Sequence, residues 1–223
     1  MLKTVIRDFV FGMEDGLVSN LGLVLGVHIG GGGPYAVILA GMASMVAGAF
    51  SMSAGSYLSA KSQREVYEQE IAATKRQLKQ SPPKALREMH SLLKKEGFDD
   101  DEIKAIVHHF EKHNPSTFAI NYIQKKLGLS EERFDLPLRN AFTMFFSFLV
   151  GSFFPIIPFL LLKDNLAAAT ASALTIGMLF LVGWAKAKYT HLGWMKSGLE
   201  IALIGLGAAV LGYVVGWLIR IIF

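Results

Sequence analysis

Cysteine is absent from the 223 residues, which removes disulfides, thiolate metal ligands and thiol nucleophiles and leaves the redox compartment open. Charge is also scarce: 18% of residues are charged against 52% hydrophobic, and the mean hydropathy is +0.40. Ordinary soluble domains carry roughly 25% charged residues, so the shortage argues against a water-soluble fold. Catalytic signatures are missing too. There is no His-Glu-x-x-His and no Ser/His/Asp grouping in an apolar stretch, and the four consecutive glycines Gly30–Gly33 lack the Lys and Ser/Thr of a phosphate-binding loop. The chain is therefore not read as an enzyme.

The charge that is present is concentrated. Residues 61–137 hold fourteen Lys/Arg and thirteen Asp/Glu, twenty-seven of the forty charged residues. Basic and acidic groups nearly cancel there, so the net charge of +4 points to a solvated surface and not to a nucleic-acid partner. Outside this block lie five stretches long enough to cross a hydrocarbon core, which needs about 20 apolar residues as helix. They are Phe9–Ile29, Pro34–Ala60, Ala141–Leu162, Leu166–Ala185 and Leu199–Ile219. The first is not read as a signal peptide, because it contains Glu14 and Asp15 and has no small-residue cleavage site.

These features predict an all-α membrane protein of five transmembrane helices with a helical cytosolic insert between the second and third. The expected divisions are 1–62 (helices 1–2), 63–137 (insert) and 138–223 (helices 3–5). Cytoplasmic loops collect Lys and Arg, and Lys3/Arg7, the insert and Lys186/Lys188/Lys196 all fall on one side. This places the N-terminus and insert in the cytoplasm and the C-terminus outside or in a lumen, in a prokaryotic plasma membrane or an organelle membrane. Within the insert, helices are expected over Gln63–Lys79, Lys84–Lys95, Ile103–Lys112 and Phe118–Leu127. Breaks fall at Ser81-Pro82-Pro83, Gly97 and Asn114-Pro115, and Asp99 with Glu102 forms a capping-box start. The segment from Ser62 to Lys79 can also simply prolong the second membrane helix.

On the first span, Asp8, Gly12, Asp15, Ser19, Gly22 and Gly26 recur at alternating spacings of four and three, so they share one face. The same spacing selects Gly41, Met45, Gly48, Met52, Gly55 and Ser59 on the second span, and Gly198, Ala202, Gly205, Ala209, Gly212 and Gly216 on the fifth. Small residues on such seams let membrane helices approach closely. Carboxylates need a different explanation, because an Asp near the bilayer centre costs roughly 2.5–3.5 kcal/mol even on insertion scales. Asp15, about two turns into its helix, is therefore a candidate for facing a bound cation or a hydrated path. Asp8 near the interface is a second candidate, and Glu14 lies off the stripe, facing water or a neighbouring helix. If the first two stripes face each other, Asp8 and Asp15 meet the thioethers of Met45 and Met52. Such a mixed oxygen and sulfur set favours a late divalent metal such as Fe2+ over Mg2+ or Ca2+, and carboxylates that exchange metal for protons allow proton coupling.

Longer motifs carry a resemblance. Arg7-Asp8-Phe9-Val10-Phe11-Gly12, Asp15-Gly16-Leu17-Val18-Ser19, Gly48-Ala49-Phe50-Ser51-Met52-Ser53-Ala54-Gly55 and Tyr57-Leu58-Ser59-Ala60-Lys61-Ser62-Gln63 resemble the vacuolar iron transporter family over essentially the whole chain. The resemblance implies a five-helix homodimer that moves Fe2+, and often Mn2+, out of the cytosol in exchange for protons, along a path at the dimer interface. It places Asp8, Asp15 and Met52 on the family's ion-path acids and methionine. The divalent ion would be cargo, with no resident cofactor; the partners implied are divalent metal ions, protons, the lipid bilayer and a second copy of the chain.

Departures from the pattern are specific. Where the family commonly has Gly-Glu-Tyr, this chain has Gly55-Ser56-Tyr57, and Thr4 stands where some members carry an acid. The family's insert binds metal through several glutamates, a Met-Met pair and a glutamate before Leu-Gly-Leu. Here Tyr122-Ile123 and Lys126 occupy the last two places; Glu88 aligns, and Glu65, Glu68 and Glu70 lie near the expected first-helix ligands. His109 and His113, at i and i+4, could replace lost ligands; they also suit a helix C-terminus electrostatically. These losses leave an alternative to transport: a metal-responsive membrane scaffold or sensor.

Overall fold

The computed structural model describes residues 2–113, 115–127, 136–190 and 193–222, with side chains for 4–109, 118–126, 136–188 and 193–222. These residues form eight helices: α1 (Leu2–Ile29), α2 (Pro34–Gln80), α3 (Pro82–Lys95), α4 (Asp100–His113), α5 (Pro115–Leu127), α6 (Pro137–Leu161), α7 (Asp164–Thr190) and α8 (Trp194–Ile222). Five of them, α1, α2, α6, α7 and α8, are long and apolar enough to cross a membrane. All five begin or end outside the expected spans. Each gains polar turns, such as Leu2–Asp8 on α1, because an α-helix that satisfies its own backbone has no reason to stop at the hydrocarbon boundary. The largest extension is α2, whose 47 residues run on from the expected second span through the expected helix Gln63–Lys79.

The chain forms two compact units, residues 1–59 with 136–223, and residues 60–135. In the first unit α1 is central and packs on α6, α7 and α8. Glycines set these contacts. A Cβ on Gly16 would lie 2.5 Å from the Phe148 carbonyl oxygen, and one on Gly151 equally close to that of Met13. One turn earlier Gly12 lies against Met144 and Ser147, so α1 and α6 run parallel with backbones in direct contact. Gly212 and Gly216 of α8 bear in the same way on Gly22 and Gly26 of α1. Between the glycine seams lie two apolar clusters. One joins Leu21, Val24, Leu25, Val37, Ile156, Phe159, Ala167 and Ala171; the other joins Met13, Leu17, Leu179, Val182 and Ile201.

Much of the remaining apolar surface is open. Tyr35, Leu39, Val46 and Phe50 on α2 and Leu203, Leu211 and Val215 on α8 are exposed, which suits helices whose outer faces meet lipid or another protein. Gly31 takes φ +93° in the turn from α1 to α2, a conformation that costs glycine nothing.

The second unit has its own core of Ala85, Met89 and Leu93 from α3, Ile103 from α4 and Phe118 and Tyr122 from α5. The four-residue spacing on α3 puts its three core residues on one stripe. Gly97, at φ +99°, ends α3. The expected capping box then starts α4: Asp99 Oδ1 accepts from Glu102 N at 2.8 Å, and Glu102 Oε2 accepts from Asp99 N at 2.9 Å.

Candidate functional site

Asp15 sits on α1 between a face packed on α6, through Gly12 and Gly16, and the more open residues Phe11 and Ser19. Phe11 and Ser19, one turn to either side, are exposed, and Asp15 itself is half-buried. The Ser19 hydroxyl donates to the Asp15 backbone carbonyl, which leaves the Asp15 side chain directed by its own rotamer. Outward from Ser19 runs a groove of about 780 Å3 between α1 and α8, floored by Gly22, Gly26, Gly212 and Gly216. Asp15 does not itself line this groove; it precedes Ser19, which does, by one helical turn, and the groove's walls are small or apolar.

Asp8 is enclosed, with 3% of its surface exposed. Its Oδ1 accepts from Arg7 Nε at 3.1 Å and from Nη2 at 3.0 Å. An enclosed carboxylate is costly unless paired, and the mostly exposed Arg7 offsets part of that cost from the surface. Glu14 has Lys186 of α7, its neighbour Asp15 and Glu200 of α8 as electrostatic neighbours. Half-buried, Glu14 lies within electrostatic reach of α7 and α8 while part of it remains exposed.

The methionines divide. Met45 packs against the apolar cluster of Leu21, Val24 and Ile156, while Met52 is half-buried next to a stretch where Gly55 has nothing near it. The glycine seam of α2 does not face the acid stripe of α1 in a single protomer. Gly48 lies on the ring of Phe148 and Gly41 on Ile156, both on α6, and Val24 is the α1 residue that Gly41 meets. The seam facing α1 is occupied by α6, because Gly12 and Gly16 admit the α6 backbone directly. Asp15 and Met52 are each half-buried, and neither belongs to the α2–α6 contact made by Gly41 and Gly48.

In the second unit Glu88 is fully engaged. Its Oε1 accepts from Gln77 Nε2 at 3.0 Å, and its Oε2 accepts from the Tyr122 hydroxyl and from Lys126 Nζ at 2.8 Å. Lys126 also donates to Gln77 Oε1 and to the Tyr122 oxygen. An ammonium thus stands among three oxygens at the place where the resemblance implies a metal. Glu65 and Glu68 lie elsewhere on α2, exposed and paired with Lys61 and Arg64 one turn away. Among the described residues no group of three His, Asp or Glu side chains is arranged to hold a metal. The side chains of Glu111 and His113, and with them the expected histidine pair, lie outside the described residues. In the sequence Lys126 reads only as a lost ligand; that it replaces the cation emerges from the way α2, α3 and α5 come together.

The bonds from Lys126, Tyr122 and Gln77 hold the Glu88 carboxyl down at about 2, and the same bonds raise the Lys126 ammonium against the lowering effect of partial burial. A carboxylate whose folded pKa lies below its ordinary value of 4.5 stabilises the fold fully above that value, and the contribution disappears as pH falls from there toward 2. The native chain should therefore lose hydrogen-exchange protection in α3 and α5 as pH falls from about 4.5 toward 2, and Glu88→Gln should flatten that loss. Because the pair is partly solvated, the effect at neutral pH should be only about 1 kcal/mol.

A family model described as the VIT family matches residues 6–217. The chain belongs to the VIT family. Among related VIT-family chains, vacuolar iron transporter 1 of Arabidopsis thaliana is 30% identical over 202 residues, covering 90% of this chain and 80% of that protein. Vacuolar iron transporter 1 of Eucalyptus grandis is likewise 30% identical, with 90% and 81% covered. Protein CCC1 of Saccharomyces cerevisiae is 28% identical over 187 residues, 82% of this chain and 58% of the yeast protein. With its five membrane-length helices, this VIT-family chain is an integral, multi-pass membrane protein.

Proposed function

We propose that the chain is a metal transporter, not an enzyme, that moves Fe2+, with Mn2+ as a second substrate, out of the cytosol in exchange for protons. The relatives named vacuolar iron transporters support metal as the cargo. The observation that carries the path is Asp15: a half-buried carboxylate within a membrane-length helix, one turn from Ser19 at the groove between α1 and α8. A second copy of the chain laid over that groove closes it and brings two Asp15 carboxylates to one seam. Met52, also half-buried, adds thioether sulfur to the set, and Asp8 with its Arg7 partner stands at the entrance. The soft sulfur favours Fe2+ over Mg2+ and Ca2+.

Proton exchange follows from the ligand type, because a carboxylate that releases a metal ion can take a proton in its place. The basic segments favour a cytosolic N-terminus and a cytosolic 60–135 unit, and an inward proton gradient would then drive metal out of the cytosol. The engagement of Glu88 by Lys126 favours transport over the sensor reading, which requires that unit to bind metal itself. The test is proteoliposomes of the full chain with Fe2+ on one side and an imposed pH gradient. Uptake of Fe2+ into the acidic compartment should accompany alkalinisation of that compartment; equal flux with and without the gradient would remove the proton coupling, and no flux would remove the transport reading.

A further inference from the structure

Three polar side chains in the middle of the first unit are fully enclosed and belong to no part of the proposed path. Asn20 of α1, Ser152 of α6 and Thr175 of α7 each have 0% exposure. Asn20 Oδ1 and Nδ2, Ser152 Oγ and Thr175 Oγ1 have no hydrogen-bond partner among the described residues. The packing puts the three at one level. Ser152 Oγ lies against Gly16, where a Cβ would come within 2.9 Å of it, and Asn20 follows Gly16 by one turn. On α7, Thr175 stands midway between Ala171, which clusters with Leu21, and Leu179, which clusters with Leu17. This spacing sets Thr175 at the level of Leu17–Leu21 on α1, the stretch that contains Asn20. On α6, Pro155 follows Ser152 by three residues and cannot donate the helical hydrogen bond to the Gly151 carbonyl.

We propose that Asn20, Ser152 and Thr175 form an internal water-binding site at mid-membrane in each protomer. A buried amide or hydroxyl without a partner is costly, and more so where no bulk solvent can reach it. Bound water removes that cost when two to four polar groups converge on it. The set contains donors, the Asn20 amide hydrogens, as well as acceptors, and includes no carboxylate. This suits water, which both donates and accepts, and disfavours a bare cation, whose charge would go uncompensated among apolar neighbours. Five residues along an α-helix turn it by about 140°, so Asn20 faces away from Asp15 and the site is separate from the metal path. Its role is to satisfy the α1–α6–α7 contact next to the proline-weakened part of α6.

The test is X-ray hydroxyl-radical footprinting of the full chain in detergent, in which bound water labels the side chains around it even when they are buried. Leu21 and Ile156 should be labelled well above the equally buried Ile201, and in the Asn20→Leu/Thr175→Val variant they should fall to its level. Labelling of Leu21 and Ile156 no higher than Ile201 in the native chain would overturn the proposal. Thermal unfolding gives an independent reading: Asn20→Leu should lower the melting temperature by about 2–4 °C, since it strands the two hydroxyls. A rise would mean the amide is unsatisfied in a dry core and would also overturn the proposal. Exchanging Na+ for choline should leave the native melting temperature unchanged. Stabilisation by Na+ that Asn20→Leu abolishes would replace water with a cation.

Discussion

Asp15→Ala should reduce proton-driven Fe2+ flux in proteoliposomes by about 30-fold or more while leaving the melting temperature of the protein unchanged or slightly raised. Removing one partner of a desolvated charge pair costs about 2–5 kcal/mol, and each 1.4 kcal/mol is a factor of ten. The fold should suffer little, because Asp15 is only half-buried and Phe11 and Ser19, one turn to either side, are exposed. Asp15→Asn separates charge from shape. It keeps the volume and one oxygen, so flux as low as in the alanine variant assigns the effect to the charge, whereas native flux in either variant would remove Asp15 from the path. Asp8→Asn should behave differently. Asp8 is enclosed and bonded to Arg7, so that variant should lose stability as well as flux.

The second large effect is structural. Gly16→Val and Gly212→Val should each lower the melting temperature by about 5–10 °C, near the upper end of the roughly 1–3 kcal/mol seen for overpacked sites. The neighbours explain the size. A side chain at Gly16 meets the Phe148 carbonyl and the Ser152 nitrogen, and one at Gly212 meets the Gly22 backbone, and a helix backbone cannot rotate aside as a side chain does. Gly207→Val and Gly55→Val are the controls, since a Cβ at either position meets nothing within 4 Å. Tryptophan fluorescence during thermal unfolding in detergent reads all four. Equal shifts in the two pairs would show that glycine contacts do not set the α1–α6 and α1–α8 distances. Gly55→Val carries a second reading: it should leave the isolated protomer stable yet impair flux if a second copy packs on that part of α2.

Part of this architecture is legible in the amino-acid sequence alone. Five membrane-length helices follow from apolar runs that only helical segments could bury in lipid. The Asp99/Glu102 cap and the break at Gly97 follow from local chemistry that needs no tertiary partner. Asp15 stands out because a carboxylate in such a run is costly wherever the helix packs. Family membership is visible in contiguous motifs for the same reason, since local sequence carries them whole.

What the sequence leaves open depends on neighbours that periodicity cannot name. The spacing of Gly41, Met45, Gly48 and Met52 establishes a shared face, but not that the face meets Phe148 and Ile156 of α6 instead of the acids of α1. A small-residue stripe fits any helix that comes close, and the α6 backbone fits Gly12 and Gly16 closely enough to exclude α2 from that side. Glu88 reads as a ligand because its match is a linear one. Its partners Gln77, Tyr122 and Lys126 come from positions up to 49 residues apart along the chain, and only the packing of α3 and α5 against α2 decides that an ammonium, not a metal, neutralises it. Asn20, Ser152 and Thr175 are inconspicuous in the sequence, because each alone is an ordinary residue for a membrane helix. Their shared burial at one height is a property of three helices together. The sequence by itself determined which segments enter the membrane and which charges are too costly to be incidental; tertiary structure decided which of those charges are already paired, because pairing is set by distance in space.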